Sequence, residues 1–302
     1  MEDVELSDDI LGRILRGSPV LESLELRGCW GMKNIVIDSS TSVKDLLLIG
    51  GSFSNLEKTR APHLLSLCVS GTWYPLKGRE DISLDNVSSL AEAKLDFVIP
   101  TGWPVAKRMC RDLLKELLEK LRGVPTITIG GCCLQIMSHL EMEGVPSPLP
   151  KCQNLILEAP VSQLNLPEIA YMLRSSQCLE KLFIHLTNLP RSKLELDEES
   201  EDRVNFDEEE LLCLRKGNLE CLAEHLKRVE ISGIGADRFG SNHLLALIKF
   251  LLGDALVLEK LVIEVKLATH FVPCKLLGAK KMCSDFEKRP KMPRLSSIGV
   301  LV

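Results

Sequence analysis

Along this chain an apolar-x-x-apolar-x-apolar hexapeptide returns nine times. The copies are Leu21-Leu24-Leu26, Val43-Leu46-Leu48, Leu64-Leu67-Val69, Leu90-Ala93-Leu95 and Val124-Ile127-Ile129, then Cys152-Leu155-Leu157, Leu179-Leu182-Ile184, Leu226-Val229-Ile231 and Leu258-Leu261-Ile263. The last two apolar positions alternate with one other residue, which is the period of a half-buried strand. That intervening residue faces away from the core: Glu25, Leu47, Cys68, Lys94, Thr128, Ile156, Phe183, Glu230 or Val262. Successive copies start 22, 21, 26, 34, 28, 27, 47 and 32 residues apart. A unit this short cannot bury its apolar face alone, so the pattern predicts stacked units sharing one continuous core.

Most of those spacings lie in or near the leucine-rich-repeat range, and the longer ones leave room for helices. The expected fold is therefore α/β: a leucine-rich-repeat solenoid with a curved, mainly parallel sheet and strands or helices on its outer wall. Met32-Ile35-Ile37 falls half a period after the first copy and predicts outer-wall strands in the opening repeats. Gly50-Gly51 and Ser70-Gly71 supply turns there. The later gaps hold three helix candidates: residues 105–123, ending in a glycine; the segment LNLPEIAYMLRSS; and SNHLLALIKFLLGDA. Ser241 or Asn242 can cap the start of the third, and Gly253 lies near its end.

Charge refines the picture at one place. Residues 195–210 carry ten acids and one arginine, a local −9, whereas the whole chain is −5. Such density opposes packing and marks an acidic loop or linker. It divides the chain into a solenoid over residues 1–194, the acidic segment 195–210 and a C-terminal module over 211–302. Lys280, Lys281, Lys288, Arg289, Lys291 and Arg294 make the end locally basic. No overall basic excess points to nucleic acid, and no apolar run approaches the ~18–20 residues of a membrane span. Eleven cysteines, an odd number without a C-x-x-C pair, read as reduced thiols of the cytoplasm or nucleus. Cys29 and Cys132 stand three residues after a third apolar position, where a repeat buries a small side chain.

Candidate chemistry is sparse. Gly233, Gly235 and Gly240 between a strand and a helix invite comparison with a dinucleotide loop, but Arg238 stands where the second half of G-x-G-x-x-G needs glycine. His63, His139, His185, His225, His243 and His270 form neither H-E-x-x-H nor zinc-ligand spacing with a cysteine. No catalytic residue, cofactor or metal site is expected, and the chain reads as a non-enzyme. The outward residues Leu47, Cys68, Lys94, Thr128, Ile156, Phe183, Glu230 and Val262 are instead the candidate partner-binding face, with an apolar component from Leu47, Cys68, Ile156, Phe183 and Val262. No clustered Arg or Lys is expected at outward strand positions, which argues against an anionic cofactor.

The segments SPVLESLELRGC, SFSNLEKTRAPHLLSLCVSG and LRSSQCLEKLFIHL resemble the repeats of the plant F-box, leucine-rich-repeat and FBD protein family. The segment HLKRVEISGIGADRFGSNHLLALIKFLLGDALVLEKLVIEV resembles that family's FBD core, a strand–helix–strand unit, while the stretch 283–302 departs from the usual FBD ending. In the family an N-terminal F-box binds the Skp-type adaptor of a cullin ubiquitin ligase, and the repeats choose the substrate. Leu6, Asp8, Asp9, Ile10, Leu11, Ile14 and Leu15 resemble the first helix of an F-box, but the chain then runs directly into Leu21. The resemblance thus implies a protein-interaction scaffold: the recognition half of such a subunit without its own F-box and without a Skp-type adaptor contact. A truncated or mis-started form of a complete receptor, and a repeat receptor for a small ligand, are the alternatives. On the plain reading of the residues, the N-terminal segment is an amphipathic helix capping the repeat stack.

Overall fold

In the computed structural model the described residues are 1–38, 41–51, 58–73, 83–85, 87–98, 106–142, 149–160, 166–187, 220–235, 242–266 and 297–301. They fall into two compact units, Met1–Cys152 and Gln153–Val302. The acidic segment 195–210 and the basic residues 280–294 lie outside the described residues.

The first unit begins with α1 (Asp8–Gly17) and carries five parallel strands in the order β1 (Ser23–Arg27), β3 (Asp45–Gly51), β5 (Ser66–Trp73), β7 (Glu92–Val98) and β8 (Thr126–Gly130). Between them, β2 (Asn34–Val36), β4 (Lys58–Arg60) and β6 (Ser83–Asp85) form a second parallel sheet. This is the two-walled arrangement that Met32-Ile35-Ile37 anticipates, and Ile35 is fully buried. The unit ends with α2 (Ala106–Lys120) and α3 (Gly131–Met142). In α2 the buried residues Cys110, Leu113, Leu114, Leu117 and Leu118 follow helical spacing and form one face.

The second unit repeats the scheme with five parallel strands in the order β9 (Asn154–Pro160), β10 (Lys181–Thr187), β11 (Arg228–Gly235), β12 (Lys260–Lys266) and β13 (Ser297–Leu301). Helices α4 (Leu166–Ser175), α5 (Glu220–Glu224) and α6 (Asn242–Asp254) connect them. The thiol of Cys221 on α5 donates to the Leu173 carbonyl of α4 at 3.0 Å.

In six of its nine copies the hexapeptide opens on a turn into the strand. Its first apolar residue donates its N–H to the carbonyl three residues earlier: Leu21 to Ser18, Leu64 to Ala61, Leu90 to Val87, Val124 to Leu121, Cys152 to Leu149 and Leu179 to Ser176. Pro19, Pro62 and Pro150 occupy the second position of three of these turns, where a fixed φ favours the bend. The next carbonyl then accepts two consecutive N–H groups of the following strand. Glu22 takes those of Lys44 and Asp45, Lys44 those of Leu65 and Ser66, Gln153 those of Glu180 and Lys181, and Lys227 those of Glu259 and Lys260. This shared acceptor helps to fix the register, so within each unit the same position of successive copies lies beside its counterpart. Of the 27 apolar positions in the nine copies, all but the half-exposed Leu21 are buried.

The outer wall changes where the strand exits change. Two residues past the third apolar position stand Gly28, Gly50 and Gly71, with φ of 58°, 60° and 80°. That left-handed backbone is open to glycine at little steric cost, and it sends the chain into a second-wall strand. At the same place β7 has Phe97 and β10 has Leu186, both buried, where the first three repeats have glycine.

Two expectations change. The strand β13 was not anticipated: Leu295, Ile298 and Val300 repeat the rhythm a tenth time, within the stretch that departs from the usual FBD ending. At the other site, Cys29 is buried as expected, but Cys132 is only half-buried, and the fully buried thiol is Cys133. The reason is that β8 passes straight into α3 at Gly130-Gly131, and the helical turn leaves Cys132 half-buried and carries Cys133 inward. Cys133 accepts the N–H of Phe97 at 3.4 Å.

Candidate functional site

Because the register is exact from strand to strand, the outward residues of each unit form straight rows. In the first unit the central row is Glu25–Leu47–Cys68–Lys94–Thr128. In the second it is Ile156–Phe183–Glu230–Val262–Gly299. Every candidate residue is thus placed beside the next candidate of its own unit. All are half-buried except Val262, which is buried at 9% exposure. Alternation keeps their neighbours inside: Leu182 and Ile184, on either side of Phe183, are fully buried.

Two further rows flank each centre. On the first unit, Ser23–Asp45–Ser66–Glu92–Thr126 lies on the turn side and carries two acids. On the second, the matching row is Asn154–Lys181–Arg228–Lys260–Ser297. Three cations therefore stand on three adjacent strands at directly opposed positions. The expectation of no clustered Arg or Lys rested on the central row, and the row two residues earlier corrects it. The signal was present in the sequence, because Lys181, Arg228 and Lys260 each follow a first apolar position by two residues.

Ion pairs distribute these charges unevenly. Arg228 Nε donates to Glu230 Oε1 at 2.8 Å, within the same strand, and its Nη2 contacts the same oxygen. Lys227 pairs with Glu180 at 3.3 Å across the turn edge. Among the described residues neither Lys181 nor Lys260 has an ion-pair partner. On the first unit, Arg27 pairs with Glu25, and Lys44 with Glu22 at 2.7 Å. The hydrogen bond and charge of Lys44 hold the Glu22 carboxyl below its ordinary value.

On the far side of Phe183, His185 lies opposite Glu158 and Ser232, and its Nδ1 is 2.6 Å from the Ser232 hydroxyl. The glycine signal nearby has a backbone explanation. Gly233 has φ of 80° at a β-bulge, and a Cβ there would fall on the Leu186 carbonyl oxygen. The described cysteines are free thiols. Burial pushes Cys132 up to about 11, with the charge of Asp96 adding to it, and burial pushes Cys221 up to about 12. These thiols are protonated at neutral pH, the opposite of an activated nucleophile. Among the described residues no group of three or more His, Cys, Asp or Glu side chains is arranged to hold a metal ion. No helix of the described residues is long and apolar enough to cross a membrane.

Stacked parallel strands with buried hexapeptide cores and ordered outward rows define a leucine-rich-repeat fold. Comparison with known families narrows this. Residues 1–93 match the family described as "FBD-associated F-box protein At5g56370, LRR repeats", and residues 216–263 match FBD. The F-box/LRR-repeat protein At3g18150 of Arabidopsis thaliana is 38% identical over 186 residues, covering 59% of this chain and 38% of that protein. F-box/LRR-repeat protein At5g02910, from the same plant, is 33% identical over 186 residues, covering 61% of this chain and 39% of its own length. F-box/LRR-repeat protein At3g03360, also from Arabidopsis thaliana, is 32% identical over 187 residues, covering 60% of this chain and 37% of its own length. The chain thus spans about two fifths of the length of the curated relatives it matches. It carries the repeat and FBD segments of the plant F-box/LRR/FBD family.

Proposed function

We propose that the chain is the substrate-recognition part of an F-box-type subunit of a Skp–cullin–F-box ubiquitin ligase. It selects a protein through its outward strand rows and catalyses nothing itself. One observation carries this reading: the segments that match the family models, residues 1–93 and 216–263, include β1, β3, β5, β11 and most of β12, whose outward residues stand in register. Such a row offers a partner one side chain every ~4.8 Å, the spacing between strands.

The segment that resembles an F-box helix is used for packing in this chain. Ser7 caps α1 by accepting the N–H of Ile10, and Leu11 and Leu15 are buried. Asp8 ties the helix start to β2 by accepting from the N–H groups of Lys33 and Asn34 at 2.7 and 3.1 Å. The reading therefore gives α1 no adaptor contact. It also places the chain in the cytoplasm or nucleus, where free thiols stay reduced.

The test is affinity capture with the full chain and its Ile156→Asp variant, followed by mass spectrometry. The expected result is a partner that the wild-type chain retains and that the folded variant loses. An identical set of captured proteins from both would overturn the reading. Separately, tight binding of the purified chain to a Skp-type adaptor would show that α1 has been assigned the wrong role.

A further inference from the structure

The row Lys181–Arg228–Lys260 is costly as it stands. Like charges directly opposite one another on neighbouring strands destabilise a sheet. Here the arrangement occurs twice in succession, Lys181 against Arg228 and Arg228 against Lys260. Glu230 compensates only Arg228, and Lys181 and Lys260 find no carboxylate among the described residues. Nothing in the packing requires them, since Lys181 is exposed and Lys260 half-exposed. Immediately beside the row, two residues further along the strands, lie the half-exposed Ile156 and Phe183. A cationic strip and an aromatic and aliphatic strip thus run side by side across the strands.

We propose that this face of the second unit docks an extended acidic peptide segment of a protein partner. Its carboxylates lie on Lys181, Arg228 and Lys260, and an apolar side chain lies between them on Ile156 and Phe183. The proposal rests on the recognition reading above and names the chemistry that is recognised. Three cations on adjacent strands span ~10 Å, and alternate residues of an extended chain lie ~6.7 Å apart, so acidic residues at i and i+2 reach two of them. The apolar residue at i+1 projects to the other side of a flat strand, but a twist of the bound segment turns it toward Phe183. The rest of the face disfavours a longer polyanion. Glu230 stands in the centre, and Glu158 and Glu264 lie beyond it, ~13 Å from the cations along the strand. A nucleic-acid backbone tracking the sheet would meet all three carboxylates, whereas a short acidic segment meets only the basic row.

The test uses the purified full chain and an array of short Gly/Ser peptides with a central Glu-Leu-Glu or Asp-Phe-Asp. Gln and Asn replacements and a single-stranded oligouridylate are the comparison probes. Binding is followed by fluorescence anisotropy for the wild type, for Lys181→Glu with Lys260→Glu, and for Lys120→Glu on the exposed end of α2. The expected result is at least about tenfold tighter binding of the acidic peptides than of their amide counterparts. About tenfold should be lost in the double variant and nothing in Lys120→Glu, with affinity falling as salt rises. The double variant should keep or raise its melting temperature, because it removes the opposed like charges. Equal binding of acidic and amide peptides, unchanged binding by the double variant, or tighter binding of the oligouridylate would each overturn the proposal. The two readings fail separately. If captured proteins are retained by the double variant, recognition stands and this site falls; if the wild-type chain captures no partner that Ile156→Asp loses, recognition itself falls.

Discussion

Single residues hold the first unit together in ways its composition does not announce. Asp8 is the clearest case. Burial raises its carboxyl, but the hydrogen bonds from the Asn34 side chain, from the Asn34 and Lys33 backbone, and the charge of Lys33 outweigh it and hold the group below its ordinary value. A carboxyl depressed in the folded state contributes stability above its unfolded value near ~3.9, and that contribution is lost as pH falls through the folded value. Asp8→Ala should therefore cost about 1 kcal/mol at neutral pH, a figure discounted for the partial exposure of the group. Urea unfolding of wild type and variant should converge as pH falls through the lowered folded value of the carboxyl; a gap that stays constant with pH would assign the loss to packing instead. Thr59 presents the reverse situation. It sits on β4 between Ile35 and Leu84, fully buried, with its hydroxyl unpaired among the described residues. Thr59→Val keeps the shape and removes the desolvated hydroxyl, so it should stabilise by about 1 kcal/mol. A lower urea midpoint for the variant would reveal a partner for that hydroxyl.

Elements show which sequence signals were strong and which were hidden. The strands were legible because each copy of the hexapeptide carries its own inward pair, and six of the nine open on their own turn. Helices α2, α4 and α6 were legible from apolar spacing, and α2 and α6 also from a glycine near the end. Helix α3 was not, because Gly130-Gly131 reads as a break, whereas Gly130 is the last strand residue and a Cβ there would strike the Asp96 carboxylate. The tenth strand was hidden because glycine at 299 replaces the side chain of the central row and the copy lies 37 residues after its predecessor. Glycines can thus be sorted by what surrounds them, and this can be measured. Gly233→Ala forces an L side chain to φ of 80° and onto the Leu186 carbonyl, so it should cost about 2–4 kcal/mol and disturb the β11 bulge. Gly123→Ala meets nothing within 4 Å and should change stability by less than about 0.5 kcal/mol. Equal melting temperatures for the two variants would mean that the bulge is not held as described.

At the scale of the whole molecule, one alternation does two jobs, building a core on one side of each sheet and an ordered face on the other. The core side was readable in full, since its positions are apolar in every copy. The face was readable only in part, because its residues share no chemical type and gain meaning only once register sets them in rows. Lys181, Arg228 and Lys260 are separated by 47 and 32 residues in the chain, and nothing short of the pairing brings them together. The division of labour has a direct test on neighbouring residues of β10. Leu182 is fully buried and Phe183 is half-exposed, although Phe183 is the larger apolar side chain. Leu182→Asp places a carboxylate in the core without a partner and should cost about 4 kcal/mol or more, enough to leave most of the chain unfolded. Phe183→Asp, one residue along the same strand, should cost far less, about 1–2 kcal/mol, because the carboxylate reaches water even though it stands directly opposite Glu230. Circular dichroism and urea unfolding of the two variants decide it, and a Phe183→Asp chain as unstable as Leu182→Asp would place Phe183 in the core and remove it from the face.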